Sequence, residues 1–260
     1  ALHFGQAIHA GLHAWFECQD VEQTLAAYRL AMEGAPPDTL RTMGRGEQLL
    51  RGYIRQWPTE PFTLLANEFE FAHPMPDGST MIGRVDGVIQ WGDRILVLEH
   101  KTTSGGIGAS YFKQFSPNLQ IDMECYAVAQ DPRWGRCDGA LMDALQICKT
   151  KVGYARDIHD RTADDLRRFE ARYRRIVAEI EATTHMHEEC LDPDEDPPTH
   201  PFAPEERREH GKGLFLQNQM MCTYYGECPY RRLCLYNNEG LIEGHYRPRV
   251  STEEPVTKET

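Results

Sequence analysis

No stretch constrains the fold of this chain more than Gly83 to Thr103, where two apolar, β-branched runs, Met81 to Ile89 and Ile95 to Leu98, flank the dipeptide Gly92-Asp93. Glycine at the first position of a two-residue loop marks a β-hairpin turn, and such a turn fixes the register of the strands it joins. Here the register sets Asp86 opposite Glu99, about 4.5–5.5 Å apart at Cβ, with Lys101 one step further along the same face. Carboxylates placed opposite each other repel unless something positive lies between them. A divalent cation suits that position: hard oxygen ligands favour Mg²⁺ or Mn²⁺, and an ammonium beside them can orient a water or neutralise charge developing on a phosphate. The plain alternative is an edge hairpin whose acids face solvent. Against it stands Ile95-Leu96-Val97-Leu98, apolar throughout like a strand buried on both faces, which puts the charged residues after it at the margin of a core.

Gly83-Arg84-Val85-Asp86, twelve intervening residues, then Glu99-His100-Lys101-Thr102 resembles the core motif of the PD-(D/E)XK nucleases, in particular the RecB/AddB-like branch. The resemblance implies an α/β, restriction-endonuclease-like core, with a central mixed β-sheet flanked by helices and a cysteine-rich C-terminal segment. It implies Mg²⁺ or Mn²⁺ held by Asp86, Glu99 and the backbone carbonyl of His100, with Lys101 positioning the attacking water. Further landmarks follow in family order. Gly5-Gln6-Ala7-Ile8-His9 matches a Gly-x-x-x-His helix whose His is an additional metal ligand, and Glu68 stands where the family often has another carboxylate. Gln120 corresponds to the Gln of a Gln-x-x-x-Tyr motif near the catalytic centre. Tyr126, six residues on instead of four, departs from that motif and falls on a different helix face. With Arg84 and Thr102 it is a candidate DNA contact, or else a packed aromatic.

A net charge of −12 argues against broad nonspecific duplex binding, which rests on phosphate neutralisation by Lys and Arg. Much of the acid is peripheral, at Asp192 to Asp196 and Glu253 to Glu259. Arg167, Arg168, Arg172, Arg174 and Arg175 cluster on one expected helix, either lining a DNA channel or forming a solvated face with Glu170 and Glu179 as partners. No apolar run approaches the ~18 residues of a membrane span and no signal peptide opens the chain, so the sequence predicts a soluble, cytoplasmic protein. It starts inside a helix-opening motif without Met, which predicts further residues upstream.

Phe4, Ile8, Leu12, Trp15 and Phe16 recur at helical spacing and predict a helix from Phe4 to about Met32. Gly34-Ala35-Pro36-Pro37 breaks it; Thr39 to Trp57 reads as a second helix and Phe62 to Phe71 as a strand before the turn Pro76-Asp77-Gly78. A simple Asp77-Gly78 turn pairs Phe69 with Asp86, so bringing Glu68 to the metal requires a bulge or a longer loop. Beyond Lys101, Ser104 to Gly108 is a loop without the Gly-Lys-Ser/Thr ending that grips phosphates. Asn118 to Gln130 returns to a helical pattern, Gly139 to Cys148 reads as a core strand, and Thr162 with Asp165 caps a long helix to Thr183. The expected organisation is a nuclease core over 1–190, an acidic Pro-rich connection over 191–204, a cysteine-rich segment over 205–240 packed on the core, and a flexible tail over 241–260.

Of eight cysteines, five are scattered, whereas Cys222, Cys228 and Cys234 fall within thirteen residues, close enough to converge on one metal centre. Cys228-Pro-x-x-x-x-Cys234 resembles the end of the motif with which many RecB-like nucleases bind a [4Fe-4S] cluster. The five-residue gap after Cys222 departs from it, and Cys18 lies after the His motif where the family's upstream ligand lies before it. Zn²⁺ and free thiols are the rival readings. The function expected is a metal-dependent deoxyribonuclease, an exonuclease on single-stranded DNA or DNA ends in recombination, repair or phage DNA processing, with a helicase or other recombination protein as partner. The alternative is a cleavage-incompetent DNA-end-binding or assembly subunit with a structural metal site.

Overall fold

The computed structural model describes the backbone of residues 2–191 and the side chains of residues 2–182. The chain divides into two compact units, Ala1–Arg175 and Ile176–Thr260, and the whole sheet belongs to the first. Strands β1 (Thr63–Pro74), β2 (Thr80–Trp91) and β3 (Arg94–Thr103) form an antiparallel meander. β4 (Gly139–Ile147) then pairs with β3 in parallel, and β5 (Val152–Asp160) lies antiparallel to β4, giving the spatial order β1-β2-β3-β4-β5. This is the mixed sheet of the expected α/β fold. The hairpin turn falls at Gly92-Asp93: Trp91 pairs with Arg94, and Gly92 takes φ 63°, a left-handed conformation that only glycine adopts at no cost.

β3 changes neighbour along its length. It pairs with β2 from Arg94 to Leu98 and with β4 from Val97 to Thr103, so Glu99, His100 and Lys101 lie where the strand has parted from β2. The β1–β2 loop spans Pro76-Asp77-Gly78, longer than a simple Asp77-Gly78 turn: Pro74 pairs with Thr80, and Phe69 pairs with Val85, not with Asp86. Glu68 is thereby level with Asp86, between the pairs Asn67–Gly87 and Phe69–Val85, and it carries a positive φ of 50°.

Helices cover both faces. On one side α1 (Leu2–Cys18), α2 (Val21–Ala31) and α3 (Met43–Gln56) bury Ile8, Leu12, Leu25, Tyr28, Leu49 and Tyr53 against Leu145 and Ile147. On the other, after the short α4 (Ala109–Phe112), α5 (Leu119–Gln130) and the start of α6 (Ala163–Leu191) pack Ile121, Cys125, Val128 and Phe169 over Val85, Val97 and Met142. β4, covered from both sides, is buried along its entire length.

Three elements differ from expectation. The helix expected to reach Met32 is two helices: Gln19 adopts φ 52°, and the Asp20 carboxylate caps α2 by accepting the Gln23 N–H at 2.8 Å. A side-chain cap can break a helix without disturbing its apolar spacing, which is why the periodicity ran through it. α3 begins only at Met43, with Thr42 as its cap. β5 was hidden because its residues Gly153, Arg156, Asp157 and His159 break any strand-like apolar pattern at the sheet edge. The expected cap of α6 is present, with Thr162 Oγ1 accepting the Asp165 N–H at 3.2 Å and Asp165 Oδ2 accepting the Thr162 N–H at 2.9 Å. The acidic connection, Cys222, Cys228, Cys234 and the tail lie outside the described residues.

Candidate active site

The parting of β2 from β3 gives Asp86 its environment. Just beyond the last pair, Gly87–Leu98, the Asp86 side chain replaces a ladder bond: Oδ2 accepts the His100 N–H at 2.8 Å, and Oδ1 receives His9 Nδ1 from α1 at 2.9 Å. Burial pushes the Asp86 carboxyl up, but the His9 hydrogen bond and charge overcome it and hold the group at about 2, so it is ionised at neutral pH. Burial likewise works against a charged His9, and Asp86 outweighs it, raising the imidazole above its ordinary value. α1 approaches β3 closely at this point: a Cβ on Gly5 would lie 3.3 Å from Thr102 Oγ1.

Glu99 and Lys101 point to the α5 side. Lys101 Nζ donates to Glu99 Oε1 at 2.5 Å and to Gln120 Oε1 at 3.1 Å, while Gln120 Nε2 donates to the same Glu99 oxygen at 2.9 Å. Burial, and then the Asp86 charge, raise the Glu99 carboxyl above its usual range. Burial opposes the charge on Lys101, but Glu99 prevails and keeps the amine protonated. The two acids therefore avoid the direct opposition that an unbroken ladder would impose: Asp86 is served by His9 and a backbone amide, Glu99 by an ammonium and a carboxamide.

Sequence reasoning missed two groups here. Glu124 lies one turn after Gln120, whose Nε2 also donates to Glu124 Oε1 at 2.7 Å. Burial, and then the Glu99 charge, push its carboxyl up to about 9. The spacing of four, which puts both side chains on one helix face, was the available signal. Behind His100 stands a buried network: Tyr53 donates its hydroxyl to Asp143 Oδ2 at 2.6 Å, and Arg156 reaches Asp143 Oδ2 at 3.2 Å, the Tyr53 hydroxyl at 2.7 Å and Glu60 at 2.5 and 2.9 Å. His100 Nδ1 lies 3.2 Å from Asp143 Oδ2 without hydrogen-bond alignment, and its ring stacks on Phe16. A lone acid inside the apolar β4 run was the sign of it; its arginine partner sits on the strand that went unrecognised.

The remaining candidates make other contacts. Glu68 is bound by Arg84 Nη1 at 3.2 Å, with His13 Nδ1 3.8 Å away, so both Glu68 and Arg84 are engaged with each other. Thr102 is half-buried on β3. Tyr126, a candidate DNA contact, is instead a core residue, 5 % exposed and packed on His73 and Phe169; at six residues from Gln120 the helix turns it away from Lys101 and into the apolar layer. Cys18 is exposed, its Sγ donating to Ala14 O at 3.0 Å. Arg167 and Arg168 pair with Asp164, Arg174 with Glu170, and Arg172 lies 3.8 Å from Asp122.

The family model described as the PD-(D/E)XK nuclease superfamily matches residues 1–235. The chain belongs to the PD-(D/E)XK nuclease superfamily. No curated protein matches it. A solved structure described as "Crystal structure of SSO0001" aligns with 63 % of this chain and 69 % of its own at 12 % identity and a TM-score of 0.28. Among the described residues no helix is long and apolar enough to cross a membrane.

Members of this superfamily usually act through divalent metals. Among the described residues no group of three or more His, Cys, Asp and Glu side chains is gathered so as to hold an ion. The donor set nevertheless fits a hard cation. Two carboxylates, one fully ionised, come within electrostatic reach of each other, Glu99 held by the Lys101 ammonium and Asp86 by the His9 ring. His9 spends Nδ1 on Asp86, so a cation held by this ring would be met by Nε2.

Proposed function

We propose that this PD-(D/E)XK nuclease is a Mg²⁺- or Mn²⁺-dependent deoxyribonuclease, acting as an exonuclease on single-stranded DNA or DNA ends, with a helicase or other recombination protein as its partner. The observation that carries the reading is the Lys101–Glu99–Gln120 cluster beside an ionised Asp86. Asp86, Glu99, the His100 carbonyl and His9 are the groups that would hold a divalent cation, which supplies Lewis acidity at the scissile phosphate and lowers the pKa of attacking water. The chain's own residues do the rest. The His100 N–H and His9 orient the Asp86 carboxylate, so its lone pairs are set before substrate arrives. Lys101 is protonated and so cannot take a proton from water at neutral pH; it aligns the water and stabilises the negative charge that gathers on the phosphate oxygens. Gln120 holds Lys101 against Glu99. Water adds to phosphorus as it gives up a proton to solvent, the bridging P–O bond breaks, and the departing oxygen takes a proton from solvent. The unmodified acids and lysine favour cleavage over a purely DNA-binding or assembly role.

Chelation tests the metal dependence. A labelled single-stranded oligonucleotide should be degraded in Mg²⁺ or Mn²⁺, with EDTA removing the activity and excess Mn²⁺ restoring it; cleavage that persists in EDTA would sink the mechanism. For the C-terminal cysteines the proposed occupant is a [4Fe-4S] cluster, with Zn²⁺ as the competing occupant. Iron, sulfide and zinc analysis of anaerobically purified protein decides between them, and a chain holding none of these has thiols only.

A further inference from the structure

Glu124 has no part in the mechanism above, yet it is withdrawn from water beside Gln120: 1 % exposed, with Oε2 lacking a hydrogen-bond partner among the described residues. An orphaned buried oxygen is destabilising, so the site tolerates this one for a reason. The other oxygen supplies it. Glu124 Oε1 accepts Gln120 Nε2 at 2.7 Å, the same nitrogen donates to Glu99 Oε1 at 2.9 Å, and the opposite end of that amide, Gln120 Oε1, accepts Lys101 Nζ at 3.1 Å.

A carboxamide has a donor end and an acceptor end. Turned over, Gln120 would press its NH₂ on the Lys101 ammonium and its oxygen on Glu99, and its nitrogen would lose both of the acceptors it reaches now, Glu99 and Glu124. Glu99 alone provides one reason against that flip, and Glu99 is a group whose other contacts change when it engages a cation. Glu124 provides a second tether for the Gln120 nitrogen, from a buried position on the same helix face. We propose that Glu124 is a positioning residue: it fixes the orientation of Gln120 and thereby holds Lys101 and Glu99 in their working arrangement. Its effect on cleavage rests on the nuclease reading; the chain of contacts does not.

The test is therefore made first on an amine, not on DNA. The full chain is treated with a limiting acylating reagent, and Lys101 modification is read by peptide mass spectrometry against Lys113 and Lys149. Glu124→Leu should raise Lys101 acylation about five-fold, the equivalent of one lost hydrogen bond. Glu124→Gln keeps an acceptor and should stay close to the unmodified chain. In a Gln120→Leu background, Glu124→Leu should add nothing, since both changes break the same link. Circular dichroism checks folding, and Glu124→Met serves if the leucine variant does not fold. Unchanged Lys101 reactivity in the apolar variants, equal damage from Glu124→Gln, or additive effects in the double variant would each overturn the proposal. In the cleavage assay, Glu124→Leu should lower kcat with KM unchanged. If the unmodified chain cleaves nothing, the nuclease reading fails while the acylation cycle still decides the role of Glu124.

Discussion

Lys101→Ala should lower metal-dependent cleavage by about 10²–10³-fold, the loss seen when one pre-placed group stabilising developing charge is removed. The fold should survive it. The lysine side chain is partly exposed, and Glu99, already raised by burial and by Asp86, can take up a proton once its ammonium partner is gone. Asp86→Asn is the companion change. The amide oxygen can still accept the His100 N–H, so the end of the hairpin stays closed, but the negative charge is lost and with it the hold on a cation. Melting temperature and circular dichroism should stay near those of the unmodified chain in both variants while oligonucleotide degradation falls. Wild-type rates in either would remove Lys101 or Asp86 from the mechanism.

Arg156→Met should have the largest effect on stability, about 3–5 kcal/mol, because it leaves buried anions without their counter-charge. Asp143 is fully buried and held ionised: burial raises it, and His100 and Arg156 more than reverse this. Glu60 also relies on the Arg156 guanidinium, which sits 4.1 Å from the centroid of the Trp57 ring. Urea denaturation would measure the loss, and a change below about 1 kcal/mol would mean the network contributes no more than an exposed ion pair. A second variant separates charge from packing. Arg156→Met combined with Asp143→Leu should recover part of the loss, since an apolar replacement of a buried pair is often close to neutral.

The hairpin was legible because one glycine-first turn sets a whole register: Gly92-Asp93 placed Trp91 against Arg94 and Gly87 against Leu98. What the turn could not reveal is that the ladder stops at Gly87, since a carboxylate bonding to a backbone amide leaves no mark in apolar periodicity. Capping residues were readable where they followed a break, as at Thr162, and unreadable inside a continuous stripe, as at Asp20. Gln120 could be placed near Lys101, but Glu124 and Asp143 are single acids in helical or apolar surroundings. Their partners come from elements far along the chain, and only tertiary packing shows which buried charge meets which.

The change of neighbour along β3 has a consequence for the order in which competence appears. His100 belongs to both halves of the sheet at once: its amide steadies an acid on the strand before it, and its ring leans on an acid from the strand after the crossover. A hairpin formed early from local contacts would carry Asp86, Glu99 and Lys101 yet lack the support behind His100. On the proposed function, cleavage should accordingly be acquired only once β4 has docked beside β3 and set Asp143 behind His100.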